Sequence, residues 1–317
     1  MPYLESIQPR NMLSFGPDTP PLELKDLNVF IGPNGSGKTN LMRILYSLCC
    51  ANSPYVKADI LKSLLRDDYT VQSKPMTWID KIENPELVNP RQYAGLRLGF
   101  EGMESGFELE FHGANATLTK VSDLSWHPLF PNVGDSVYLA RRGSRKVLTR
   151  ARLNRVQDRL LLYLKDFGHL AGNVLYGIDS PKGTKSRVID LHIEKYISDN
   201  WLWYIKVLAV LLDPEPPAVI FIDDIDAGLH LDLLPTLADL VVHASERSQV
   251  FITTQSHVIL DTIDDTDKGV ESVVVFDMRN QPTTTMERLT LDIKENPMFE
   301  KGLGDMWSRG AIGGVVW

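Results

Sequence analysis

Leu27-Asn-Val-Phe-Ile-Gly-Pro-Asn-Gly-Ser-Gly-Lys-Thr-Asn40 is the stretch that decides the fold. It opens on a short apolar run, Leu27 to Ile31, that stops at a glycine, the pattern of a buried strand. It leads into Asn40-Leu-Met-Arg-Ile-Leu-Tyr-Ser-Leu48, where apolar residues recur at helical spacing. Between the two, Gly32, Gly35 and Gly37 allow a backbone tight enough for successive N–H groups to point inward, and the helix that follows adds the positive end of its dipole. That combination cradles phosphate. Lys38 is placed to reach the outer phosphates of a nucleotide, and the Thr39 hydroxyl to bind Mg²⁺. The eight-residue pattern Gly32-Pro33-Asn34-Gly35-Ser36-Gly37-Lys38-Thr39, with Asn40 behind it, is therefore expected to bind ATP with Mg²⁺.

Working outward, Ile220-Phe-Ile-Asp223-Asp224 puts two carboxylates at the end of an apolar strand. Alone, two acids there could simply end a strand. Beside a phosphate loop, Asp223 is expected to hold Mg²⁺, directly or through water, and Asp224 to orient the attacking water. Ala218 to Ile222, Gln249 to Thr253 and Val273 to Phe276 read as buried strands, with helical spacing over Leu231 to Ser245 joining the first two. Trp201 to Leu212 reads as a buried helix, stopped by Asp213-Pro-Glu-Pro-Pro217. The N-terminal runs Met12 to Phe15 and Leu22 to Leu24 read as strands. Residues 93 to 121 alternate between glycine clusters, as an antiparallel sheet does, and residues 55 to 90 read as helices and loops. The expected fold class is α/β: a P-loop NTPase with a mostly parallel sheet, an antiparallel β insertion and a helical insertion. Its nucleotide-binding core is drawn over about 1–50 and 196–317, with the insertion over 51–195.

The 317 residues carry 43% hydrophobic and 23% charged side chains, ordinary for a globular protein. No run of about 18 apolar residues predicts a membrane span, and the first residues do not read as a secretory signal, so a cytoplasmic location with no membrane partner is expected. Cys49 and Cys50, adjacent and without companions, read as reduced thiols rather than a disulfide or metal site. A net charge of −8 makes general attraction to nucleic acid unexpected. One local exception is the stretch 141 to 159, which carries Arg141, Arg142, Arg145, Lys146, Arg150, Arg152, Arg155 and Arg159 against Asp158. It could grip DNA or RNA phosphates, form a solvated helix face or dock an acidic partner.

Together these residues resemble the ABC-type AAA family ATPases of the RecF, SMC and OLD-like group, which include bacterial ATPases encoded beside defence or nuclease genes. The resemblance rests on Leu13-Ser-Phe-Gly-Pro17, on Val29 to Asn40 with its Pro-Asn and trailing Asn40, and on Asp223-Asp-Ile-Asp-Ala-Gly-Leu-His230. Val250-Phe-Ile-Thr-Thr-Gln255-Ser256 and Leu303-Gly-Asp-Met-Trp-Ser-Arg-Gly310 extend it. It implies an ABC-ATPase head that forms a homodimer or higher oligomer around ATP, each site completed by the partner's signature segment, here Ile197-Ser198-Asp199-Asn200-Trp201. Ser198 would cap the helix that follows, turning its N-terminus toward a γ-phosphate. Hydrolysis that reopens the dimer would control an effector protein such as a nuclease, in antiphage defence. The alternatives are an ATP-bound scaffold with little hydrolysis and a RecF-like DNA-repair ATPase.

Three positions depart from the group. Asn200 stands where glycine is usual, Asp224 where glutamate is usual, and Gln255 where many relatives carry histidine. Asp224 has roughly 1.5 Å less reach than glutamate, and a misplacement of about 1 Å can cost on the order of 100-fold. Gln255 can hydrogen-bond a phosphate or water but carries no charge. For the glutamine that such proteins direct at Mg²⁺, the candidate is Gln157, with Gln92 and Gln72 as alternatives. An intrinsic nuclease is not expected, because no cluster of carboxylates with a lysine stands out.

Overall fold

The computed structural model describes residues 4–10, 13–16, 18–50, 92–100, 103–112, 115–121, 136–140, 147–164, 198–279, 283–296 and 302–313. Strands run β1 (Leu4–Arg10), β2 (Leu22–Glu23), β3 (Leu27–Ile31), β4 (Gln92–Phe100), β5 (Met103–His112), β6 (Asn115–Val121), β7 (Ser136–Leu139), β8 (Val219–Ile222), β9 (Gln249–Thr253), β10 (Val273–Asp277) and β11 (Thr285–Arg288). Helices are α1 (Lys38–Cys50), α2 (Arg150–Leu164), α3 (Asp199–Leu211), α4 (Leu234–Ser245), α5 (His257–Asp264) and α6 (Leu303–Ser308).

The apolar strands β3, β8 and β9 lie in the middle of a six-stranded sheet of order β11-β10-β3-β9-β8-β7. β10, β3, β9, β8 and β7 are parallel, and β11 closes one edge antiparallel. Every residue of β3, β8 and β9 is buried, as expected for strands covered on both faces. On one face Phe30, Phe221, Phe251 and Phe276 line up, with Phe221 stacked on Phe251 at 5.0 Å and Phe30 tilted on Phe276 at 5.0 Å. Leu41, Met42, Ile44 and Leu45 of α1 cover that face, together with Leu4 and Ile7 of β1. On the other face α3, α4, α5 and α6 form the larger core.

A second sheet, of order β2-β1-β4-β5-β6, is antiparallel throughout. Hydrogen bonding thus crosses the boundaries drawn at 50 and 196, since β1 and β2 pair into the antiparallel sheet while β7 joins the parallel one. The fully buried Gln249 ties the two sheets together: it accepts from the Leu4 N–H at 3.1 Å and donates to the Leu4 carbonyl at 2.8 Å and the Lys25 carbonyl at 3.1 Å. Over Leu13 to Phe15 the expected strand does not form, and Met12 lies outside the described residues. Leu13 is left-handed at φ 53°, which breaks an extended run; Leu13 and Ser14 turn, Phe15 makes a single bridge, and the Ser14 carbonyl accepts from the Thr284 N–H at 2.7 Å. The helices expected over 55–90, and the segment holding Gln72, lie outside the described residues.

The basic stretch has a structural occupation. Asp213, fully buried just beyond α3, accepts from Arg152 Nε at 2.9 Å and from Arg155 Nε and Nη2 at 2.8 and 2.7 Å. Arg159 donates to the Leu212 carbonyl at 3.1 Å, and Arg247 to the carbonyls of Asp213 and Leu211. Guanidinium groups therefore satisfy the end of α3, where carbonyls lack helical partners and the dipole is negative. They also pin α2 to α3, across a seam of buried Leu153, Val156 and Leu160. The DNA-gripping reading is corrected for Arg152 and Arg155, which are committed to Asp213; residues 141–146 lie outside the described residues.

Burial opposes ionisation of Asp213, but the hydrogen bonds from Arg155 and Arg152 outweigh it and hold the carboxyl below its ordinary value. A carboxyl depressed on folding adds stability above its unfolded pKa and loses it as pH falls through the folded value. Asp213→Ala is expected to cost about 3 kcal/mol near pH 7, by removing the buried carboxylate that Arg152 and Arg155 share and leaving them, among the described residues, only Val147 and Glu215. Urea unfolding checks this, and the gap to the parent should close as pH drops below the ordinary 3.8 of an aspartate.

Candidate functional site

Because β3, β8 and β9 are neighbours and parallel, the segments leaving their C-terminal ends converge. From β3 comes the phosphate loop, from β8 the Asp223-Asp224 pair, from β9 the segment Thr254 to Ser256. Gly37 holds φ 103°, and a Cβ there would come within 2.7 Å of Ser14 Oγ, so the loop needs glycine at that point. Thr284 Oγ1 lies 2.7 Å from Ser14 Oγ and 2.9 Å from the Ser36 carbonyl, and Asn40 Nδ2 donates to Ser14 Oγ at 3.1 Å. The loop is thus braced from outside by the turn at 13–16 and by the start of β11.

Within the loop, Lys38 Nζ donates to the carbonyls of Gly32 at 2.7 Å and Pro33 at 2.9 Å. Burial lowers the pKa of its ammonium, against the opposing pull of Asp224, Asp223 and Asp226. Thr39 Oγ1 donates to Asp223 Oδ1 at 3.2 Å, and Thr253 Oγ1 donates to the same oxygen at 2.7 Å. Tyr138, on β7, donates to Asp223 Oδ2 at 3.0 Å; burial first, then Asp223, raises its phenol pKa. Asp223 is itself buried, whereas Asp224 is exposed. Asp224 takes a left-handed φ of 53°, and its N–H donates to Thr253 Oγ1 at 2.7 Å. Desolvation, then Asp223 and Asp226, raises its carboxyl pKa.

Asp226 joins the neighbouring segment, accepting from Thr254 Oγ1 at 2.7 Å and from the Gln255 N–H at 3.4 Å. Gln255 reaches back to the loop, its Nε2 donating to Asn34 Oδ1 at 2.7 Å. Two tryptophans clamp these segments from behind: Trp203 Nε1 donates to the Ile225 carbonyl and Trp307 Nε1 to the Gln255 carbonyl, both at 3.2 Å.

The residues fit a magnesium nucleotide. A hydroxyl and a carboxylate oxygen side by side are the hard donors that Mg²⁺ takes. Among the described residues no group of three or more His, Cys, Asp or Glu could hold a metal, so the remaining ligands would be phosphate and water oxygens. Ser36 Oγ is buried in the loop without a hydrogen-bond partner among the described residues.

Residues 27–117 and 203–261 match the family model "AAA domain, putative AbiEii toxin, Type IV TA system". Seventy-five residues, 23% of the chain, are 35% identical to the chromosome partition protein Smc of a Synechococcus species, a match that spans 6% of that protein. An Smc head solved bound to the C-winged helix domain of ScpA superposes over 92% of this chain and 99% of that one, with TM-score 0.54 and 14% identity. By these matches the chain is similar to the ABC-type AAA ATPases of the SMC-like group, whose head fold it shares. A second Smc head, from Pyrococcus furiosus and bound to the C-terminal domain of ScpA, agrees in fold at TM-score 0.53, 13% identity and 93% and 98% coverage. The P-loop ABC fold expected from the sequence is the fold observed.

Within this ATPase fold the expected residues divide into two sets. Lys38, Thr39, Asn34, Asp223, Asp224 and Gln255 come together. Ser198 caps α3, accepting from the Trp201 N–H at 3.5 Å, with Asn200 in the first turn. Gln157 is not brought to Thr39 and Asp223. It lies on α2 within a turn of Arg155 and Arg159, which are bound at 212–213, before β8 begins; Asp223 follows its other end. Gln92 begins β4, in the antiparallel sheet. The sequence reading assigned no role to Tyr138, Thr253, Ser14, Thr284 or Trp307. For Thr253 the signal was present, a hydroxyl ending the strand beside the acidic pair.

An aspartate raised on folding costs stability wherever it is ionised in the folded chain, and nothing once both states are protonated. Asp224→Asn is therefore expected to raise the melting temperature near pH 7 by about 1 °C, small because the group is exposed and screened. The gain should vanish as pH falls through the carboxylate range; a lowered melting temperature in calorimetry would contradict the crowding described.

Proposed function

We propose that this chain binds and hydrolyses ATP with Mg²⁺, and that the ATP-bound form pairs with a second copy. The observation that carries the reading is the 3.2 Å contact of Thr39 Oγ1 with Asp223 Oδ1, in a site where Asp223 and Asp224 both act electrostatically on the Lys38 ammonium. Thr39 and Asp223 would hold the metal, whose charge would offset that of the phosphates. Lys38 would exchange its contacts with the Gly32 and Pro33 carbonyls for phosphate oxygens. Asp224, with its raised pKa, is suited to take a proton from water, and Gln255 to hydrogen-bond the terminal phosphate.

The capped N-terminus of α3 supports pairing: its first-turn N–H groups and dipole favour an anion, and Ser198 is exposed. A partner under the control of such a dimer is the fitting role, and an effector nuclease in antiphage defence is the version that the family resemblance favours. The Smc heads are solved with ScpA domains, which illustrates a head of this fold holding a protein partner. A scaffold that keeps its ATP is the second reading, favoured by the short reach of Asp224.

Steady-state phosphate release from MgATP, with the mass of the complex in solution, tests both. The parent should turn over ATP and Lys38→Ala should not. Asp224→Asn should lose at least about 100-fold in turnover while keeping nucleotide and accumulating as dimer. Nucleotide retained without turnover in the parent selects the scaffold; no nucleotide binding at all removes the reading.

A further inference from the structure

Gln255 is held at three points. Its side chain meets Asn34 in the phosphate loop at 2.7 Å, its N–H meets Asp226 at 3.4 Å, and its carbonyl accepts from Trp307 at 3.2 Å. The third hold comes from α6, more than forty residues further along the chain. α6 has six residues, too few to persist without support. Its support is α5, which begins directly after Gln255 and is capped by Ser256. The Gly304 N–H donates to Asp261 Oδ1 at 2.7 Å, and the two helices lie so close that a Cβ at Gly304 would come within 2.7 Å of Asp261 Cγ. Leu303, Met306 and Trp307 are buried in the main core.

From these contacts we infer that Trp307 is a positioning residue for Gln255, so that residues 302–309 are a working part of the arm that recognises a terminal phosphate. A buried indole N–H requires some acceptor. Here the acceptor belongs to Gln255, whose side chain reaches the phosphate loop at Asn34. An uncharged glutamine draws its effect on a phosphate from hydrogen-bond geometry alone, so a backbone anchor matters more for it than for a cation. The inference rests on the nucleotide reading proposed above, and deepens it.

The test compares the Kd of MgADP with that of a non-hydrolysable MgATP analogue by calorimetry on the full chain, for the parent, Trp307→Phe, Gln255→Ala and the double variant. Trp307→Phe keeps an aromatic ring and loses the donor. It should weaken the analogue about fivefold and leave ADP unchanged, the loss of one hydrogen bond. Gln255→Ala should do the same, and the double variant should lose no more than the worse single, since both act through one contact. Losses that multiply, or ADP weakened as much as the analogue, would overturn the inference and leave Trp307 a core residue. A parent that binds neither nucleotide would remove the site reading and this inference with it. Should Trp307→Phe not fold, hydrogen exchange of the parent decides. The analogue, relative to ADP, should slow exchange at 303–308 as well as at 254–257; protection confined to 254–257 would overturn the inference.

Discussion

The site depends on one hydroxyl. Thr253 Oγ1, at the end of β9, donates to Asp223 Oδ1 and accepts from the Asp224 N–H, both at 2.7 Å. These two bonds give adjacent acids different environments. Asp223 is buried and bonded to Thr39 and Tyr138, while Asp224, at a left-handed backbone, is exposed. A non-glycine residue held at positive φ costs of order 1 kcal/mol and persists only where its surroundings fix it. Here the hydrogen bond that its N–H donates to Thr253 on the neighbouring strand does so. The register that pairs Ile222 with Ile252 brings Thr253 level with Asp223.

From that point the contacts spread in both directions along the strand ends. Asp226 ties the segment after β8 to the segment after β9, Trp203 braces it from α3, and Gln255 returns to the phosphate loop. A shift in any one of these three segments is therefore felt by the other two. This is the connectivity a nucleotide-dependent switch requires, since a ligand moves an equilibrium only by contacting its two states differently. At the other end of the sheet, Asp213 and its arginines fix α2 to α3 independently of the site.

Much of this was legible in the sequence because the relevant signals are local. A buried strand ending at Gly32, glycines where the backbone must turn, and two acids closing Val219–Ile222 each lie within a dozen residues. What was not legible is what distant segments supply. Ser14 and Thr284 are 270 residues apart and meet only because β11 folds back beside β10. Arg152 and Arg155 read as a basic face, since nothing local says that a buried carboxylate 61 and 58 residues away will take them. Gln157 drew notice as a glutamine, but the arginines on either side of it fix its helix at the far end of β8. Leu13 to Phe15 had strand composition, and lost to the turn that braces the phosphate loop.

On the reading proposed above, Thr39 and Asp223 would together hold the metal of a nucleotide site. The most direct measurement is a crystal structure of the chain grown with Mg²⁺ and a non-hydrolysable ATP analogue. The phosphates should lie within the loop 32–39, with Lys38 Nζ released from the Gly32 and Pro33 carbonyls and Mg²⁺ about 2.1 Å from Thr39 Oγ1. Nucleotide bound elsewhere, or a metal with no contact to Thr39 and none to Asp223 directly or through one water, would contradict it.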